Sequence, residues 1–337
     1  MNTKASSEPP ALPGFIDRRR RALPLDLSFA RRRGQVADWR AAVLAAWRDL
    51  LPPHDAPPEG EAHGERVRLT YATGAEAEGR LILPDGPGPH PGLLLLHDHG
   101  GRFDDGHARM FADGPGADAR ARFYGGAAPA EVLRAAGFAV LCLDAIGFGG
   151  RWHGGYEGQQ RLAAALSGLG WSLAGVTAAE DAQAARWLAE HPAVDAARVG
   201  AFGFSFGGFR AWQAAALCPA LGAVASAGWM ACRADLMRPG APLLAGHSAF
   251  HFLHPGLSHR ADFPDLAGLS RAPLFLRSGR GDRHMPEDSV AAAWAQIAAI
   301  RAAAGDTAPD NAFHPHGHTC PPDVLHDAAA FLRAHLG

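Results

Sequence analysis

The sequence predicts an α/β fold, a mostly parallel central sheet with helices on both faces and a small capping insertion. Two patterns predict it. Continuous apolar runs such as "GLLLLH" (92–97) and "FAVLCLDA" (138–145) read as strands buried on both faces. Helical stretches such as "GVTAAEDAQAARWLAEH" (175–191) alternate with them, which implies parallel strands joined by crossovers. A chain of 337 residues is long enough to bury a deep core around such a sheet.

Residues 1–34 are rich in Pro and Arg, with "RRRR" at 18–21 and "RRR" at 31–33, and are expected to form a solvated or loosely docked arm. Val36, Trp39, Val43, Trp47 and Leu50 then recur at helical spacing up to Pro52, an amphipathic helix packed on the main domain. Residues 1–60 thus form an N-terminal arm and helical extension, and 61–337 the main α/β domain. "RVRLTYA" and "EGRLILP" alternate like a hairpin. After "GLLLLH" come a helix near "PAEVLRAAG", the strand "FAVLCLDA", the long helix named above, the strand "RVGAFGF" and the helix "FRAWQAAALC". "GAVASAG" and "APLFLRSG" are further strands. A helix near 287–304, a short strand "NAFHPH" and a terminal helix "DVLHDAAAFLRAHL" close the chain. Residues 232–270 fit neither period and read as a cap lying over the strand ends.

Composition narrows the function. The net charge of −2 offers no basic face for nucleic acid, and no apolar run is long enough to span a membrane. Cys142, Cys218, Cys232 and Cys320 are scattered without a CxxC pair, which fits a reducing, cytoplasmic location. The expected partner is a small molecule, and the arm is a candidate interface for a homo-oligomer.

The chemistry is expected at "GFSFG" (203–207), between a strand and a helix. A turn that tight holds its central residue in a strained conformation and projects the Ser205 hydroxyl into the cleft. Gly203 and Gly207 answer the close approach of the chain to itself. A serine nucleophile needs a base, and the base an orienting acid, in the chain order Ser, Asp or Glu, His. Asp282 follows the strand "APLFLRSG" and is the expected acid, with Asp235 its rival and Asp288 assigned to the first turn of the next helix. His318 precedes the terminal helix and is the expected base, ahead of His316, while His314 and His316 are assigned to the short strand. The amide of Phe206, at a helix N-terminus, can stabilise an oxyanion. A different chemistry is conceivable for the same region: His97 and His99 could begin a metal site, and His247, His251 and His254 would share a face if helical. The expected setting for those last three is a cap with partly exposed histidines.

Taken together, "LLLLHDHGG", "LCLDAIGFGGR", "GFSFGGFRAW", "AGWM", "GRGDRHMP" and "HGHTC" resemble the dienelactone-hydrolase-like and acetyl xylan esterase-like branch of the α/β-hydrolases, from about residue 65 to the C-terminus. The resemblance implies the α/β-hydrolase fold and a cofactor-free, metal-free serine esterase acting on small acyl groups, with Ser205, Asp282 and His318 as triad. It places the second oxyanion donor at the His99 amide, with Gly100 and Gly101 as alternatives, and leaves the His97 and His99 rings to shape the loop. Phe204, Phe206 and Trp229 are the candidate substrate-contacting residues. The chain departs from the pattern at Asp98, where a glycine is usual, and at Phe206, where Met is common; neither change removes a backbone donor. The alternatives are a serine peptidase of the prolyl-oligopeptidase type and a metal-dependent hydrolase using the His97/His99 segment.

Overall fold

In the strand His90–Leu96, Leu94 and Leu96 face one core while Leu93 and Leu95 face another. Serving two cores at once is what makes the segment an unbroken apolar run. The computed structural model describes residues 13–238, 243–244 and 246–337, with only the backbone of His247. Residues 1–12 of the arm and 239–242 and 245 of the cap lie outside the described residues.

The elements in chain order are α1 (Gly14–Arg21), α2 (Val36–Arg48), β1 (Glu59–His63), β2 (Arg66–Thr70), β3 (Glu76–Ile82), β4 (His90–Leu96), α3 (Ala117–Tyr124), α4 (Pro129–Ala135), β5 (Ala139–Leu143) and α5 (Gly155–Gly168). They continue with α6 (Leu173–Glu190), β6 (Val194–Phe204), α7 (Phe206–Leu217), β7 (Leu221–Ala227), α8 (Arg233–Leu236), α9 (Phe263–Ala267), β8 (Leu274–Gly279), α10 (Glu287–Ala304), β9 (Asp310–His314) and α11 (Pro322–Leu336). Among the described residues the sheet has nine strands, in the order β1-β2-β3-β5-β4-β6-β7-β8-β9. The first three pair antiparallel and β3 joins β5 antiparallel, while every pairing from β5 to β9 is parallel. This is the α/β-hydrolase fold, with helices on both faces as the sequence predicts.

One face carries α6 and α7, with α2, α9 and α10 packed around them; the other carries α4 and α11. Every residue of α7 is buried, so the helix that follows Ser205 sits inside the molecule rather than on it. Two bidentate ion pairs fix this region. Arg210 of α7 donates to Asp181 of α6 at 2.9 and 2.7 Å, and Arg151 donates to Glu180 at 2.6 and 2.7 Å. Paired guanidinium forks of this kind specify geometry as well as contributing energy.

The strands and helices named from the sequence are all present. The reading passed over β1, whose residues are all exposed and which is held only by pairing with β2. It also passed over α3 and α5. The described part of the arm is docked rather than solvated. Leu25 and Leu27 N–H donate to the carbonyls of His259 and Arg260, each at 2.9 Å, and Phe29 N–H donates to Asp265 Oδ1 at 2.8 Å. Arg20 reaches the carbonyl of Ala234 at 2.9 Å, so the arm straps the segment read as a cap. That segment contains α8, a 3-10 turn at His247–His251 and α9.

Candidate active site

Strand β6 delivers Ser205 to the rim of the sheet. The backbone there has φ 54° and ψ −120°, outside the regions an L-residue prefers, at a typical cost of about 1–3 kcal/mol. The turn is held by Ser205 N–H donating to the Ala227 carbonyl at 2.8 Å. The flanking glycines are obligatory on contact grounds. A Cβ on Gly203 would lie 2.2 Å from the Gly207 carbonyl, and one on Gly207 would lie 1.9 Å from the Leu96 carbonyl. The steric reading of "GFSFG" therefore holds.

The hydroxyl projected by this turn meets the expected partners. Ser205 Oγ is 2.8 Å from His318 Nε2, and His318 Nδ1 is 2.6 Å from Asp282 Oδ2. The second oxygen, Asp282 Oδ1, accepts from the His284 amide at 2.7 Å, which orients the carboxylate. The loops after β8 and β9 carry these two side chains and touch where Gly279 lies against Gly317. A Cβ on Gly279 would sit 1.7 Å from the Gly317 carbonyl. Gly317 itself has φ +64°, which a glycine adopts freely. The His318 ring packs between Phe204, at 5.1 Å, and His284, at 4.8 Å.

The loop after β4 faces the same hydroxyl. Phe206 opens α7, so its N–H has no partner within the helix, and neither it nor the His99 amide donates to a protein carbonyl among the described residues. The rings of this loop are tied down. His97 Nδ1 donates to its neighbour's carbonyl, Asp98 O, at 2.9 Å, and His97 Nε2 accepts from Ala145 N–H at 3.1 Å. Burial pushes His97 well below its ordinary pKa, keeping it neutral. His99 Nδ1 accepts from Gly101 N–H at 3.1 Å, and burial pushes this imidazole down to about 4. Asp98, at the departure from the glycine pattern, is buried and accepts from the Tyr124 hydroxyl at 2.7 Å. Arg109 donates to the Asp98 carbonyl and lies 3.7 Å from its carboxylate. Burial, then the Asp98 charge, holds the Tyr124 phenol well above its usual range, so it remains a donor.

These groups open onto a cavity of about 490 Å³. Phe204 and Trp229 line it, as the sequence suggests. Phe206 does not. Its side chain turns away and packs against His251 at 4.6 Å, Phe148 at 5.8 Å and Phe252 at 6.0 Å, so its contribution to the cleft is its amide. Sequence reasoning missed Tyr156, Phe252, Met285, Arg122 and Arg283 on the lining. They come from α3, α5, the cap and the loop after β8, and no local spacing links them to Ser205.

The rival residues go elsewhere. Asp235 pairs with Arg238 at 2.7 Å, and Asp288, in the first turn of α10, pairs with Arg238 at 2.8 Å. His314 ends β9, but His316 lies beyond the strand rather than on it, stacked on His314 at 5.8 Å. The cap histidines correct the expectation of partial exposure. His251 is 1% and His254 2% exposed, the first buried among His99 and aromatic rings, the second against Trp47 and bonded to Gln213 at 2.6 Å. The His247 side chain lies outside the described residues. Among the described residues no three His, Cys, Asp or Glu side chains converge as metal ligands, the His97/His99 segment included.

Comparison with known proteins places this geometry. The model of the X-Pro dipeptidyl-peptidase (S15) family matches residues 74–272, more than half of the chain. Over 131 residues, 39% of this chain, the sequence is 31% identical to YtaP of Bacillus subtilis (strain 168), provisionally named a hydrolase, and the match spans only 40% of that relative. Among solved structures, a Bacteroides fragilis protein provisionally assigned as an acetyl xylan esterase superposes with a TM-score of 0.67 at 15% identity, over 93% of this chain and 84% of that one. A CE15 glucuronoyl esterase from Teredinibacter turnerae gives 0.61 at 16% identity, over 100% and 94%. Dipeptidyl peptidase 4 of Porphyromonas gingivalis gives 0.55 at 18% identity, over 83% and 36%. At these identities the structures establish the fold that esterases and peptidases share. The chain belongs to the X-Pro dipeptidyl-peptidase (S15) family of the α/β-hydrolase superfamily.

Proposed function

We propose that this hydrolase is a carboxylic esterase for short acyl groups, working through an acyl-enzyme on Ser205. The observation that carries the reading is Ser205 Oγ at 2.8 Å from a His318 whose other nitrogen is 2.6 Å from Asp282, beneath a pocket walled by Phe204, Trp229, Phe252 and Met285. His318 accepts the hydroxyl proton as Ser205 Oγ bonds to the ester carbonyl carbon. The Phe206 and His99 amides receive the developing oxyanion. The carbon–oxygen bond to the alcohol then breaks, and His318 returns the proton to the departing oxygen. A water, deprotonated by His318, attacks the acyl carbon, the bond to Ser205 Oγ breaks with His318 returning the proton to Oγ, and the acid leaves.

The family name supplies a second reading, removal of X-Pro dipeptides. A dipeptidyl peptidase must pair the α-ammonium of its substrate. Among the described residues the carboxylate on this pocket's lining belongs to Asp98, which is 1% exposed and whose Oδ1 is engaged by Tyr124 and Arg109. The two guanidinium groups on the lining, Arg122 and Arg283, repel an ammonium. Both features favour the ester. The test is a series of p-nitrophenyl acetate, butyrate and octanoate beside Ala-Pro-p-nitroanilide, with the Ser205→Ala variant as blank. A short-acyl preference requires kcat/KM to fall at least about tenfold from acetate to octanoate. The anilide should stay at the blank. An anilide turned over as efficiently as the acetate would overturn the reading.

A further inference from the structure

The arginines of this chain are mostly committed, either to carboxylates, as Arg151 and Arg210 are, or to main-chain carbonyls, as Arg120 and Arg301 are. Two that line the active-site pocket have no such acceptor among the described residues. Arg122, on α3, is exposed and rests its guanidinium 4.9 Å from the Phe123 ring. Arg283 is exposed and uses only Nε, which donates to His284 Nε2 at 3.0 Å.

Both arginines flank one side of the site, the loop that carries His318. Phe123, next to Arg122, accepts at its carbonyl from Cys320 N–H at 2.8 Å. His284, next to Arg283, packs its ring 4.8 Å from that of His318. The mechanism assigns this side to the alcohol, because His318 must reach the oxygen of the departing group to protonate it. Trp229 and Phe252, which also line the pocket, offer apolar surface suited to the acyl group. The accessible charge of the pocket is therefore positive and sits where the alcohol lies.

Resting on the esterase reading above, we propose that the alcohol portion of the natural substrate carries a carboxylate held by Arg122 and Arg283, so that the substrates are O-acyl hydroxy acids. A planar guanidinium matches a carboxylate in shape and charge, and two of them at a pocket mouth discriminate against a neutral alcohol.

The test compares 3-acetoxybenzoate with 3-acetoxybenzamide, two acetates whose leaving groups differ in charge, by acetate release in a pH-stat. We expect kcat/KM for the anion to exceed that for the amide about tenfold at low salt, mostly through KM. The ratio should collapse near 1 M salt, where the Debye length shrinks from about 30 Å at 0.01 M to about 3 Å. It should also fall severalfold in Arg122→Gln and in Arg283→Gln, and approach one in the double variant. The ratio is read within each variant, so a general loss of activity does not mimic the effect. Brisk hydrolysis of the amide with a wild-type ratio near one overturns the proposal and leaves the esterase reading standing. Hydrolysis of neither acetate by the folded enzyme overturns both. A high ratio that survives in the double variant overturns the assignment to these arginines.

Discussion

Ser205, Asp282 and His318 lie far apart along the chain, yet two hydrogen bonds of 2.8 and 2.6 Å make them one device. Ser205→Ala is expected to lower kcat on the order of a million-fold, because the members of such a relay act as a unit. Asp282→Asn is expected to cost about ten-thousand-fold in kcat, since an amide favours the wrong tautomer of His318. KM should change little in both, and steady-state kinetics on p-nitrophenyl acetate checks them; a variant retaining most of its kcat would dismiss the relay. These three residues were legible because each has a sequence sign: a glycine-flanked serine after a buried strand, then an Asp and a His after later strands. The residues around them had none. Tyr124 reaches Asp98, and His284 packs on His318, through contacts the fold creates without any local spacing that marks them.

Elements decide whether those side chains meet. Strands β4 to β8 were legible because each serves two cores and so reads as an apolar run. Strand β1 was not, because every residue of Glu59–His63 is exposed and only main-chain pairing defines it. Helix α5 buries only Gly158, Gln159 and Ala163, too few for a clear helical stripe. The docking of the arm was hidden because it combines backbone amides of Leu25, Leu27 and Phe29 with just two apolar side chains among the described residues, Leu27 and Phe29, packed on the core, too few for a periodic stripe. The element-scale weak point of the site is the contact of the β8 and β9 loops. A Cβ at Gly279 would fall 1.7 Å from the Gly317 carbonyl and push the His318 loop off Asp282. Gly279→Ala should therefore lower kcat about a hundredfold, the usual penalty of a misplacement near 1 Å. Far-UV circular dichroism should be unchanged if the sheet persists. A variant with wild-type kcat would show that the two loops are not rigidly coupled.

At the scale of the whole molecule, the distinctive feature is how many neutral imidazoles the fold encloses. Burial pushes His99 down to about 4 and His254 down to about 3, and it holds His97 and His251 well below their ordinary value. The unfolded chain takes up these protons near pH 6.5, whereas the native state refuses them until far lower pH. Stability is thus fully present above pH 6.5 and is lost as pH falls from there toward the depressed values. Each imidazole adds a slope of about 1.4 kcal/mol per pH unit across its window. Asp265 acts in the opposite sense. Burial raises its carboxyl to about 6, so the folded state binds that proton first and gains stability as pH falls below 6. One carboxyl offsets roughly one imidazole, and the remaining histidines set the sign. We expect the urea midpoint to drop steadily between pH 7 and pH 5. His254→Phe removes one of the refused protons, so its stability should decline less steeply over the same interval, whatever its value at pH 7. A wild-type midpoint that stays flat to pH 5 would refute the argument. Parallel decline in His254→Phe would remove His254 from it. Because the same burial keeps His99 neutral within the loop that faces Ser205, a chain that tolerated acid by exposing these rings would also loosen that loop.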